Sequence, residues 1–387
     1  MSCHQPRSSR VAPLRRLQAA RDAASKAIPA AAGLAGPWPP GCQAFPASYA
    51  QKRLWFLHQL EPGLSAYQLP AVWRLRGDLE VEALQQAFAG LIERHGTLRS
   101  SFQMVEGEVV QIVHPPVGFA LSAEALADRD GEEAIEEWLK QERSSPLDLT
   151  SGVLLRARLL RLAEGEHLLL LNHHHIAADG WSLSIIERDL VELYNAHHGK
   201  RSPDLQRLAV HYQDYAVWQR ERLGGSRLQK LQEYWIPQLT GLQPLELPTD
   251  RPRPARPSYR GGSVSFQIEP ALLEPFEAFC SSEGATLQMG LLALLALLLH
   301  RYSRQEDFAI AIPIWGRNHP DLEALIGFFG NTLPIRTRFE PEHSFRQLLR
   351  QVKATSIAAY DHQGLPFEQM VEASTLNVIP AGTLWCR

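Results

Sequence analysis

Apolar side chains recur along this chain at two spacings, and the spacings alternate. Leu84 and Phe88, and Phe88 with Leu91 and Ile92, fall three or four residues apart, which predicts a helix over Glu80–His95 with one buried face. Tyr67–Leu75 and Phe102–Val113 read as extended, the second with Gly107 as its turn. Leu154–Leu162 and His167–Ile176 are apolar runs separated by Ala163-Glu164-Gly165-Glu166, which predicts a hairpin of two buried strands. A helix must follow at once, because Leu183, Ile186, Leu190 and Leu193 recur at helical spacing, and Ser184 with Glu187 offers it a capping box. Ser48 with Gln51 offers another, ahead of Leu54, Trp55 and Leu57.

The second half repeats the theme. His211–Leu223 reads as helix, and Leu247–Pro257 is a Pro/Arg linker that cannot be helical. Val264–Ile268 alternates like a strand, Thr286–Tyr302 reads as a buried helix, Asp307–Ile314 as a buried strand, and Phe345–His362 as an amphipathic helix. Strands and helices alternating in both halves predict α/β architecture with two similar lobes, divided between Gly199 and Tyr212.

Composition narrows the functional classes. The 387 residues carry 39 basic and 42 acidic side chains, a formal net charge of −3, which gives no electrostatic reason to expect nucleic acid or an anionic membrane as partner. The longest apolar run, Met289–Leu299, falls well short of the about 20 residues a bilayer-spanning helix needs. Residues 1–44 are rich in Ala, Pro, Arg and Ser; Arg16, Arg21, Asp22 and Lys26 interrupt them, so they read as a disordered leader and not a secretory signal. Cys3, Cys42, Cys280 and Cys386 are scattered and form no CxxC pair, which argues against a disulfide framework or zinc ribbon and for a reducing, cytoplasmic setting.

The sharpest chemical feature is His173-His174-His175-Ile176-Ala177-Ala178-Asp179-Gly180 at the strand-to-helix turn. Alternation along a strand would put His173 and His175 on one face and His174 on the other, so one imidazole can enter a cleft while its neighbour packs inward. An imidazole titrates near neutrality and can take a proton from an amine or alcohol. Asp179 stands where it can pair with a buried cation, and Gly180 permits close backbone approach before the helix, whose first N–H groups suit a developing oxyanion. The alternation, and the absence of a carboxylate at HExxH spacing, speak against a metal site.

His174-His175-Ile176-Ala177-Ala178-Asp179-Gly180, followed by Trp181-Ser182, resembles the HHxxxDG motif of condensation domains from nonribosomal peptide synthetases. Five further segments resemble that family's signatures, in its order. These are the opening Ser48–Leu57, Arg94–Phe102 with Gly96 replacing a usual Glu, Tyr212–Trp218, Ile326–Leu333 with Gly330 where Val is usual, and His362–Glu368. The resemblance implies two chloramphenicol-acetyltransferase-like lobes in a V-shaped pseudo-dimer, with the active site in a tunnel between them. Residues 45–205 would form the N-terminal lobe and 206–372 an incomplete C-terminal lobe. The implied reaction is peptide-bond formation between aminoacyl or peptidyl thioesters carried on the 4'-phosphopantetheine arms of upstream and downstream peptidyl carrier proteins, alongside an adenylation domain. The domain itself would be monomeric and would bind no cofactor and no metal.

In residue terms the resemblance implies His175 as the catalytic histidine, acting either as general base or by orienting the amine, with His174, Asp179 and Gly180 beside it. Arg317 or Arg99 is the expected partner of Asp179; Arg94, Asn331 and Trp181 are expected to support the site or its tunnel. The wording of the opening segment and of Asp179–Ser182 resembles the class that joins an L-donor to an L-acceptor. After Glu372 the resemblance stops: 373–387 matches nothing that follows in the family, so an incomplete second lobe with exposed apolar surface is expected. Two rival readings accompany this one. One is a free-standing acyltransferase making an ester from a CoA or carrier thioester, and the other is a non-catalytic remnant or carrier-docking module.

Overall fold

A computed structural model describes residues 27–61, 63, 65–125, 131–252, 261–340 and 342–374. The chain divides into two units, the first running to Arg222 and including Gly316–Phe329, the second formed by Leu223–Trp315 and the chain from Gly330 onward.

The first unit is built on two sheets. Strands β1 (Gln43–Pro46), β3 (Ser100–Val105) and β4 (Glu108–Val113) form one, in the order β1-β4-β3; β2 (Gln68–Arg76), β5 (Ser122–Ala125), β6 (Leu155–Ala163) and β7 (Glu166–His174) form the other, in the order β2-β7-β6-β5. The helices are α1 (Tyr49–Leu60), α2 (Val81–Arg94), α3 (Gly131–Ser144), α4 (Gly180–His198) and α5 (Tyr212–Arg222). Strand β7 is antiparallel to β2 on one edge and β6 on the other. It is buried on both faces, which is why its sequence is a continuous apolar run. Leu169 and Leu171 join the main core with Phe88, Leu91, Phe102 and Ile186. Leu168 and Leu170 face the other way, into a smaller core with Trp138 and Leu139 of α3.

The second unit contains α6 (Gly225–Leu239), α7 (Pro270–Ser282), α8 (Leu287–Ser303), α9 (Phe345–Asp361) and α10 (Phe367–Ala373), with an antiparallel pair β8 (Asp307–Ile314) and β9 (Asn331–Arg338). Ser344 caps α9 in a reciprocal capping box with Gln347. Thr286 caps α8. No single helix among the described residues is long and apolar enough to cross a membrane.

Several expectations change. The chain is packed from residue 27: Ile28 is buried with Tyr212 and Tyr215, and the Ala31 N–H donates to Asp214, so order starts before Phe45. The remaining leader (1–26), the end of the Pro/Arg linker with the residues after it (253–260) and the tail from 375 lie outside the described residues. The division falls after Arg222, not between Gly199 and Tyr212. Helix α5 belongs to the first unit, because the Tyr212 hydroxyl hydrogen-bonds Ser48 Oγ at 2.9 Å. Helix α4 begins at Gly180, so Ser184 lies inside it and is no cap; Asp179 caps it instead. Val264–Ile268 joins no strand among the described residues, since alternation alone cannot supply a neighbour for its backbone groups. Helix α8 is not buried all round: Leu291, Leu294, Leu295 and Leu298 are exposed.

Phe88 is fully buried in the main core of the first unit. Phe88→Ala is expected to cost about 3–5 kcal/mol, read as a lowered urea midpoint for this unit.

Candidate active site

Strand β7 ends at His174, and the next four residues turn the chain into α4. Every backbone carbonyl of Ile176–Ala178 finds a donor. Ile176 O accepts from Gln51 Nε2 at 3.4 Å, Ala177 O from Thr97 Oγ1 at 3.3 Å, and Ala178 O from His175 Nδ1 at 2.9 Å. Gln51 lies in the opening segment and Thr97 in the segment after α2, so three motifs separated in sequence meet at one turn.

The three histidines part company here. A carbonyl only accepts, so His175 Nδ1 carries the proton and Nε2 holds the lone pair. His174 has the opposite tautomer, because its Nδ1 accepts the Ile176 N–H at 3.1 Å. His174 and His173 are almost completely buried, and His175 is half-buried. Burial, reinforced by the neighbouring imidazoles, pushes His173 down to about 4 and His174 to about 3. Burial also lowers His175, opposed by its bond to Ala178, so the ring is neutral at pH 7. The strand ends before His175, so strict alternation does not govern it. Its ring leaves the strand and packs 4.4 Å from the Phe328 ring.

Asp179 anchors the turn to Gly316–Phe329. Oδ1 accepts the Ser182 N–H at 2.9 Å and Arg317 Nη2 at 3.0 Å, and Oδ2 accepts the Phe329 N–H at 3.2 Å. Ser182 Oγ lies 2.7 Å from Asp179 Oδ1 and accepts the Gly327 N–H at 3.1 Å. Arg317 also donates through Nη1 to the carbonyls of Leu322 and Leu325, and its guanidinium lies over the Phe329 ring at 4.1 Å. Tyr212 OH donates to the Phe328 carbonyl at 2.6 Å, and a Cβ on Gly327 would run into the Tyr212 ring. Glycine is therefore required at 327 by close approach.

Of the two arginines expected to partner Asp179, Arg317 does so and Arg99 does not. Arg99 points to the Ile92 carbonyl, because the short 3₁₀ turn Gly96–Arg99 carries it toward β4 and His114. Trp181 donates its indole N–H to the Glu323 carbonyl and lies beside Arg317. Gly180 opens α4 and is exposed. Arg94 is part of a separate clamp between α2 and α4, donating to Asp189 Oδ2 at 3.0 Å and to the Gln206 carbonyl. Burial opposes the Asp189 charge, but hydrogen bonds from His95 and Arg188 hold its carboxyl below the ordinary aspartate value. Asn331, in the second unit, is spent on backbone: Nδ2 donates to Gln363 O and Leu365 O, and Oδ1 accepts the Phe367 N–H. Sequence reasoning missed Ser182, Phe328 and Tyr212. The signal for Ser182 was its place three residues after Asp179, the spacing of a cap and its partner.

Asp179→Ala leaves the Arg317 charge buried and unpaired. It is expected to cost about 3–5 kcal/mol in urea unfolding, with part recovered when Arg317→Met is added. The neutral histidines set an acid limit. Below the ordinary value of 6.5 the unfolded chain takes up protons that buried His173 refuses until about pH 4. That stability is complete above pH 6.5 and falls as pH drops through this window, so His173→Leu is expected to flatten the decline in unfolding free energy between pH 6.5 and 4.

Comparison with known proteins places this geometry in a family. The family model described as Condensation domain matches residues 42–378. One of the subunits of linear gramicidin synthase from Brevibacillus parabrevis is 42% identical over 351 residues, covering 87% of this chain and 4% of that protein. One of the plipastatin synthase subunits from Bacillus subtilis (strain 168) is 40% identical over 337 residues, covering 87% of this chain and 9% of that protein. The chain thus spans less than a tenth of either protein. Among solved structures, the X-domain from teicoplanin biosynthesis matches with a TM-score of 0.80 and 30% identity over 92% of this chain and 78% of that one. The first condensation domain of the CDA synthetase shares the fold, with a TM-score of 0.70 and 22% identity over 88% of this chain and 80% of that one. The mixed α/β architecture, the His175–Asp179 turn and these matches together establish that the chain belongs to the condensation-domain family.

Proposed function

We propose that this chain forms amide bonds between acyl groups delivered as thioesters on the phosphopantetheine arms of two peptidyl carrier proteins, within an assembly that also holds an adenylation domain. The amine of the acceptor attacks the donor thioester carbonyl, the C–N bond forms, the C–S bond breaks, and the amine's proton passes to the departing thiolate. The observation that carries this reading is the state of His175: half-buried, neutral at pH 7, with Nδ1–H committed to Ala178 and the lone pair on Nε2. Such a ring can accept the amine's proton and return it to sulfur. Amine attack on a thioester is downhill, so orienting the two reactants supplies much of the remaining acceleration. The phosphopantetheine arms enter as substrate. The donor and acceptor are read as L-configured, from the wording of the opening segment and of Asp179–Ser182.

A docking role is the second reading, favoured by the likeness to the teicoplanin X-domain, whose structure is also known in complex with OxyB, with a TM-score of 0.82 and 30% identity.

Single-turnover transfer between two loaded carrier proteins separates the readings. The parent is expected to form dipeptide, and His175→Ala to lose about 10²–10⁴-fold in rate. An undiminished rate in the variant removes His175 from the chemistry. A folded parent that binds carriers but forms no dipeptide supports the docking role.

A further inference from the structure

Away from the His175 turn, at the end of the β1-β4-β3 sheet where β1 and β3 begin and β4 stops, lies a second histidine constellation. Cys42 immediately precedes β1, is half-buried, and places Sγ 3.4 Å from His114 Nδ1. The other nitrogen, His114 Nε2, lies 2.7 Å from the hydroxyl of buried Ser101. Each partner is held by the sheet: Cys42 by its N–H bond to Pro39 O and the β1–β4 register beside it, His114 by its N–H bond to Arg99 O, Ser101 by its pairing with Ile112. Gly152, at φ +76°, leaves the space the ring occupies, since a Cβ there would lie 2.8 Å from His114 Cδ2.

A thiol, a base within hydrogen-bond reach and a third group orienting the base make the arrangement that activates a nucleophile. A separate observation concerns the surrounding charge. Arg99 donates to the Ile92 carbonyl, its Nε is buried without a partner, and its charge is felt both by His114 and by the Glu93 carboxylate. Burial and the Arg99 charge keep His114 below the ordinary histidine value, so the ring is neutral and has a lone pair for the thiol proton. Cys280, by contrast, is buried, and burial pushes its thiol up.

We propose that Cys42, His114 and Ser101 form a reactive-thiol site that takes small disulfides to give a mixed disulfide. In this step His114 accepts the Cys42 proton and Sγ attacks one sulfur of the disulfide. A new S–S bond forms, the old one breaks, and the departing thiolate takes the proton back from the imidazolium. The disulfide is the oxidant, and one equivalent of small thiol leaves.

The test is peptide-resolved mass spectrometry of the full chain exposed to glutathione disulfide, with iodoacetamide in parallel, native and in urea. Native Cys42 is expected to react about tenfold faster than Cys42 in the urea-unfolded chain, and faster than native Cys280. His114→Asn is expected to remove that advantage while leaving the rate in urea unchanged. A native rate at or below the unfolded one, or an unaltered rate in a folded His114→Asn, overturns the proposal. Should His114→Asn fail to unfold cooperatively, Ser101→Ala takes its place under the same criterion. If neither variant folds, the parent's native-to-unfolded ratio decides.

Discussion

The first unit is organised by one buried ion pair. Asp179 and Arg317 are separated by 138 residues, yet their side chains meet at 3.0 Å with almost no exposure. Removing two charges from water costs several kcal/mol, and such a pair repays this only when its remaining donors and acceptors are satisfied. Here most are: Ser182 and Phe329 complete Asp179, and the Leu322 and Leu325 carbonyls complete one arm of Arg317. Packed apolar residues would serve stability as well. They would not fix the start of α4 and the position of Phe328 together, and the His175 ring rests on Phe328.

Neighbouring histidines with opposite tautomers show how little sequence is needed to separate structural from chemical roles. His174 uses its lone pair to hold the backbone of the turn and keeps its ring out of water. His175 spends its N–H on the backbone and keeps its lone pair. The difference comes from where β7 stops. One more residue of strand would have returned His175 to the β7 ladder and given it a face by alternation.

The sequence was legible where local rules act. The hairpin of β6 and β7, the capping box at Ser48 and the helical face of α2 all follow from spacing that depends on near neighbours. The ordered motifs identified the His175 turn, and they also left Arg317 and Arg99 as equal candidates for Asp179. Only tertiary structure separates them, because the 3₁₀ turn after α2 carries Arg99 away. Tyr212 illustrates the same limit: its hydroxyl links Ser48 to the Phe328 carbonyl across long stretches of chain that no periodicity records. The alternation of Val264–Ile268 shows the converse, a local pattern without the neighbour that would make it a strand.

The excursion of Gly316–Phe329 into the first unit, between β8 and β9, has a bearing on biosynthesis. A ribosome adds about 5–20 residues per second, so Arg317 emerges on the order of ten seconds after Asp179. During that interval the carboxylate waits without its counter-charge, while β8 and its helices are still being made. The first unit therefore cannot mature as an independent N-terminal body; its last interior piece arrives after most of the second unit has been translated. The loop that must be closed is long, and its entropy is lost before the ion pair returns anything. Nascent chains of this fold should stay accessible to chaperones for longer than a lobe of this size with contiguous sequence.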